Sequence, residues 1–301
     1  MRRSLPNSVL NALRQARRSL RRLAYHVRRV RGANVRSADI EAALHELGIT
    51  AGDDVMLHSS LRGLGVIDGG AEAVVHAFQN VIGLDGTLLV PAYPLRGTMF
   101  EHLRDGGIAL DVRHTPSQMG KISEVLRSQP GSHRSLHPTH SVVALGPRAQ
   151  EYVRGHEASR SPCGPESPFV KLIDRRGWIV ALGSPIGKVT SYHVIEDTHA
   201  RFPINVYLDG EFEARVVDAS GAERLVPVKC HDPALSPVRI DNNRSVEAVF
   251  ERLLAAREVL YVEQLGDGFI SAMRADRLQC ALEDLLGKGV TIYDVSRAGM
   301  A

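Results

Sequence analysis

The sequence predicts one α/β domain carrying a small β insertion, and three observations predict it. A strand, a helix and a second strand follow one another between residues 53 and 93, which is a βαβ unit and implies a parallel pair. The runs GTLLVPAY, HSVVALG and GWIVALG are apolar without alternation, as strands covered on both faces are. Residues 206–228 alternate instead, with turn signals at Asp209-Gly210 and Ser220-Gly221, the pattern of an antiparallel meander.

The first element is a basic arm, residues 1–36. It holds eleven arginines and no acid. Leu10, Leu13, Ala16, Leu20, Leu23, Val27 and Val30 recur at helical spacing, so they form one apolar face with arginines opposite. Gly32 and Asn34 would end that helix. Such a helix packs on its own domain or on a second subunit, as in a homodimer. It also suits an anionic surface, which would make the protein peripheral to a membrane. Its composition is that of an organelle transit peptide too. No aromatic interleaving points to a specific nucleic acid.

The body spans residues 37–301. Ser37 is placed to cap a helix to about Leu47, with Asp39 and Glu41 near its positive end. Residues Asp53 to Leu61 read as a strand entering a Ser/Gly loop, Gly69 to Gly83 as a helix, and Gly86 to Tyr93 as a strand stopped by Pro91. Residues 94–116 read as loop, and Met119 to Ser128 as helix. Strands follow at His140 to Gly146 and Gly177 to Gly183, then the insertion at 206–228. Helices are expected at Ser245 to Ala256 and Ser271 to Leu286, and a last strand near Val290 to Tyr293. There is no internal repeat.

Composition narrows the class. The 301 residues are 44% hydrophobic, enough for a real core. No apolar run reaches the ~18 residues a membrane helix needs. Cys163, Cys230 and Cys280 are too few and too scattered for a disulfide framework or a zinc ribbon, which points to a reducing cytoplasm. Taking the arm's eleven arginines from the 37 basic residues leaves 26 against 34 acidic ones. An acidic body favours a cationic or amine-bearing substrate.

Three stretches carry candidate chemistry. HSSLRGLG, from His58 to Gly65, sits where a parallel strand ends. Ligands bind at such edges, and small residues there expose backbone N–H groups. It lacks the Lys-Ser/Thr of a P-loop. RSLHPTHS, from Arg134 to Ser141, carries His137 and His140 before a strand but no carboxylate for a metal site. GSPIGKVTSYHVIED, from Gly183 to Asp197, follows a buried strand. Thr190, His193 and Glu196 share one helical face there. A carboxylate beside an imidazole fixes its tautomer and stabilises the imidazolium, so the pair can take a proton from an amine. Away from a cleft, the same pair is an ordinary surface contact. Gly-x-Ser-x-Gly and Gly-x-Gly-x-x-Gly are both absent, which removes an α/β-hydrolase nucleophile and a dinucleotide fold.

In order, MLHSSLRGLG, DGTLLVPAY, TPSQMGKISEVLR, RSLHPTHSVVALG, CGPESPF and GWIVALGSPIGKVTSYHVIE run from Met56 to Glu196, within a likeness that extends from about residue 38 to about 265. Together they resemble the aminoglycoside 3-N-acetyltransferase family, also called the antibiotic acetyltransferase family, to which antibiotic-resistance enzymes belong. The resemblance implies a three-layer α/β/α sandwich with a largely parallel central sheet. It implies acetyl transfer from acetyl-coenzyme A, as co-substrate and with no metal, to a primary amine of an aminoglycoside, amino sugar or related small molecule. Carried over by residue, it makes His193 the general base, Glu196 its support, and Thr190 a neighbour of the thioester. It makes Ser59, Ser60, Leu61, Gly65, Ser117 and Met119 coenzyme A contacts, and His137 and Asp232 substrate contacts. One departure stands out: resistance enzymes often carry an acid in the His-Pro-x-x-Ser segment, where this chain has Thr139-His140.

Two other readings compete. One is a metal-dependent amidase or deacetylase built on His133, His137, His140 and His199. The other is a non-catalytic coenzyme A-binding protein of the same fold.

Overall fold

The computed structural model describes residues 34–300. The expected arm helix lies outside them, and of the arm only residues 34–36 are described. Ten strands form two sheets. They are β1 (Asp54–Ser59), β2 (Thr87–Pro91), β3 (Ile108–Asp111), β4 (His133–Arg134) and β5 (Val142–Leu145), then β6 (Trp178–Leu182), β7 (Phe212–Val217), β8 (Glu223–Val228), β9 (Tyr261–Leu265) and β10 (Gly268–Arg274).

The main sheet has seven strands in the order β4-β5-β2-β1-β6-β10-β9. At its centre, β1 pairs in parallel with both β2 and β6. The flanking strands β5, β4, β10 and β9 are antiparallel. Side chains alternate between two cores. Val55, Leu57, Leu88, Val90, Val180 and Leu182 pack on one face with helices Ser37–Glu46, Gly70–Ile82 and Lys121–Arg127. Met56, Leu89, Ile179, Ala181 and Met273 pack on the other, under helices Pro168–Asp174, Arg244–Ala256 and Ala275–Gly287. A sheet with helices on both faces is a three-layer α/β/α sandwich. The near-continuous apolar runs of β1, β2 and β6 follow from burial on both sides.

Local detail departs from the sequence expectations in five places. The first helix begins at Ser37, with Arg36 as its N-cap and Asp39 closing the capping box. Residues 94–116 are not all loop: they contain helix Met99–Arg104, capped by Thr98, and β3. The insertion is a hairpin of β7 and β8, and β3 adds to it in parallel as a second, three-stranded sheet. Residues 268–274, expected partly as helix, are strand, because β10 bonds to β6 on one side and β9 on the other. The helix starts only at Ala275. Residues 290–293 make no ladder; Val290, Ile292 and Tyr293 fill the core instead. Among the described residues, no helix is long and apolar enough to cross a membrane.

The loops after β1, β2 and β6 leave the same edge of the sheet, with β1 between the other two. This is where open α/β sheets form their crevices. Two of these loops are locked together. A Cβ on Gly63 would lie 1.9 Å from the carbonyl oxygen of Gly183. Gly183 itself has φ +62, and its Cβ would lie 2.6 Å from the Ser60 carbonyl. Only glycine fits both positions.

Candidate active site

A cleft of about 460 Å³ opens at that edge, within the usual size of small-molecule sites. Ser59, Tyr93, Ser184, Lys188, Thr190 and His193 line it from the strand-end loops. His231, Asp232, Arg239 and Asp241 line it from the segment after the hairpin.

His193 ends the short turn Thr190–His193 and begins helix Val194–Thr198. Its Nδ1 lies 2.8 Å from Glu196 Oε1. His231 Nε2 lies 2.7 Å from the same oxygen. The Glu196 side chain is fully enclosed, and that of His193 is 12% exposed. Burial alone would raise the Glu196 carboxyl. The two imidazoles outweigh it and hold the group well below the usual carboxylate range. An ionised carboxylate accepts from both rings, so His193 carries its hydrogen on Nδ1 and keeps a lone pair on Nε2. That ring is equipped to take a proton.

Thr190 is buried, and its hydroxyl meets the Tyr93 hydroxyl at 2.5 Å. The His140 ring lies over Tyr93 with centroids 4.3 Å apart. Behind Glu196, Asp197 accepts from Tyr207 Oη and from the Cys163 backbone N–H. Burial and the Glu196 charge push its carboxyl up to about 7.

The residues expected from sequence fall into two groups. Ser59, Met119, Thr190, His193 and Asp232 line the cleft. Gly65 lines an adjoining cavity of about 920 Å³, and Ser184 borders both spaces. Glu196 stands behind His193. Ser60 and Leu61 turn the chain from β1 into the short helix Leu61–Leu64 and do not line the cleft. Ser117 is buried against Ser123, its hydroxyl 2.9 Å away, and does not face the cleft. His137 does not face it either. Its ring is fully enclosed and stacks on His156 with centroids 4.6 Å apart. Its Nδ1 accepts the backbone N–H of His140 at 3.1 Å. The histidine of that segment in the cleft is His140.

The four histidines of the metal reading do not gather among the described residues. The one group that does is His193, Glu196 and His231. Its contacts of 2.7 and 2.8 Å are hydrogen bonds. Sequence reasoning missed His231, Tyr93 and Arg239. Glu196 and His231 are 35 positions apart, and no local spacing signals such a pairing.

A family profile described as aminoglycoside 3-N-acetyltransferase matches residues 56–286. Aminoglycoside N(3)-acetyltransferase VIII from Streptomyces fradiae is 35% identical over 178 residues, covering 55% of this chain and 60% of that protein. The chain thus spans less than two thirds of the length of this curated relative. Among solved structures, aminoglycoside acetyltransferase AAC(3)-Xa superposes with a TM-score of 0.69 at 26% identity, covering 83% of this chain and 92% of that one. Sisomicin-bound AAC-VIa gives 0.70 at 25% identity, covering 84% and 98%.

Proposed function

Because this chain belongs to the aminoglycoside 3-N-acetyltransferase family, we propose that it is an N-acyltransferase. It moves the acetyl group of acetyl-coenzyme A to a primary amine of a small molecule, with His193 as general base. The observation that carries this reading is the 2.8 Å contact of His193 with an enclosed, ionised Glu196 at the wall of an open cleft. An amine protonated in water is not a nucleophile, and a supported imidazole is the base that frees it.

In the reaction, the amine nitrogen attacks the thioester carbonyl while His193 Nε2 takes its proton. The carbonyl oxygen becomes an oxyanion, for which the Thr190 hydroxyl is a nearby donor. The C–S bond then breaks, and the thiolate recovers a proton from the imidazolium or through Thr190. Glu196 steadies the imidazolium throughout. No covalent enzyme intermediate is needed. Holding both substrates in one cleft supplies much of the acceleration.

Ser184 borders the cleft, a small pocket beside Ser59 and Met119, and the larger cavity with Arg62 and Gly65. That continuity suits a long thioester carrier whose reactive end lies by Thr190 and His193. The neighbour AAC-VIa binds sisomicin, which makes a small amine the first acceptor class to test. The basic arm is the candidate for contact with an anionic surface or a second copy of the chain. Deletion of residues 1–33 tests it: vesicle binding or dimerisation disappears and turnover remains.

Thiol release from acetyl-coenzyme A over an amine panel is the direct assay. His193→Ala lowers turnover by ~10²–10⁴-fold if the ring is the base. Turnover near that of the parent protein excludes His193 from that role.

A further inference from the structure

The charges in the cleft say which amine fits, and what they say rests on the acyl-transfer reading above. Two carboxylates, Asp232 and Asp241, and two cations, Lys188 and Arg239, line the space. Arg239 donates from Nε to Asp241 Oδ1 at 2.6 Å and from Nη2 to Oδ2 at 3.1 Å. That forked pair fixes the guanidinium and neutralises Asp241, and it uses two of five N–H groups. Among the described residues, no protein acceptor takes the others. Asp241 thus aims the guanidinium without saturating it, and the side chain is only 17% exposed. It lines the same cleft as Thr190 and His193. Burial holds the His231 imidazole below its usual value, and the nearby Arg239 charge acts in the same direction.

Lys188 reaches only the Asn242 side-chain oxygen, at 3.4 Å, and among the described residues it has no carboxylate partner. Asp232 caps its own turn by accepting the Ala234 N–H at 2.8 Å and, among the described residues, is the cleft carboxylate without a cationic partner. His140 also lines the cleft, and burial keeps its ring neutral, so it adds no positive or negative charge there. One free carboxylate matches one ammonium. A polycation would set its remaining ammonium groups against Arg239 and Lys188.

We propose that the acceptor is an amine that also bears an anionic group, a carboxylate or a phosphate, and that Arg239 is the residue that selects it. The amine lies toward His193 and Asp232. The anion takes the spare N–H groups of Arg239, a geometry suited to either oxyanion. A site built to pair a charge discriminates against analogues that lack it.

Initial rates of thiol release from acetyl-coenzyme A test this with four acceptors: glucosamine, glucosamine 6-phosphate, muramic acid and sisomicin. At least one anion-bearing sugar is expected to exceed glucosamine in kcat/KM by ~10-fold or more, and to exceed sisomicin. The double variant Arg239→Gln/Asp241→Asn, which leaves no uncompensated carboxylate, brings that sugar and glucosamine to the same kcat/KM. The change falls on the acceptor's KM and not on that of acetyl-coenzyme A. Arg239→Lys restores part of the advantage, and thermal unfolding checks that each variant is folded. Sisomicin as the best acceptor overturns the proposal and leaves acyl transfer standing. So does equal loss on charged and uncharged sugars in the double variant. A shift confined to the KM of acetyl-coenzyme A also overturns it. Thiol release with none of the four, against intact coenzyme binding, brings down the acyl-transfer reading and this proposal with it.

Discussion

Two pairs of histidines in this protein share a chemistry and differ in surroundings. His193 and His231 meet at the Glu196 carboxylate on the wall of the cleft. His137 and His156 stack face to face in the interior. His156 Nδ1 meets Ser135 Oγ at 2.9 Å, and its Nε2 meets the Pro162 carbonyl at 3.0 Å. Burial lowers both of these interior rings, His156 to about 3, so they stay neutral and act as fixed hydrogen-bonding spacers. The lesson is that burial alone removes an imidazole from acid–base work. The cleft pair differs in having the Glu196 carboxylate at hydrogen-bond distance, a counter-charge for a ring that takes up a proton and one that the interior pair lacks.

The largest test of the contrast removes the counter-charge. Glu196→Gln keeps the shape and lowers turnover on the order of 10²–10³-fold, as expected for loss of a supported general base. Thiol-release kinetics read it. A loss below about three-fold would place Glu196 outside the chemistry. The interior pair gives the opposite result. His156→Ala leaves a cavity and unsatisfied groups at Ser135 and Pro162, for about 2–3 kcal/mol of stability. Denaturant unfolding measures that loss, while turnover of the folded fraction stays close to the parent value.

A smaller effect sharpens the first pair. His231→Phe removes one of the two donors to Glu196 and is expected to lower kcat by about 10-fold, with the pH dependence of kcat/KM altered. An unchanged pH profile would make His231 a packing residue only. The last effect is a slope. Asp197 holds its proton to about 7 in the fold, whereas an unfolded aspartic acid releases it near ~3.9. The stability it contributes is complete at acid pH and is lost as pH rises toward 7. Asp197→Asn therefore flattens the fall in stability between about pH 4 and 7, as thermal unfolding would record.

Much of the centre of the fold was legible. The strands β1, β2 and β6 announce themselves because both faces are buried and each carries an unbroken apolar run of at least three residues. The pairing of His193 with Glu196 was legible for a local reason, since three positions on one turn bring the side chains together. Elements whose identity depends on distant partners were hidden. The strand β3 is only four residues long, and its partner β7 lies about a hundred positions further on. The end of β10 carries a sequence with good helix propensity, and two neighbouring strands override it. His231 and Arg239 were hidden in the same way. Each acquires its meaning from a cleft that only the folded chain assembles.

The contact of Gly63 with Gly183 reaches beyond the turns that contain it. The backbones there approach too closely for any side chain, so the bank bearing Ser184 and Lys188 is clamped to the sheet. Accommodation of acceptors of different bulk then falls to the opposite bank, where Leu95, Met99 and Phe100 face the cleft from the segment between β2 and β3. Diversification of this scaffold toward new acceptors would accordingly collect on residues 95–100, with the glycine clasp left untouched.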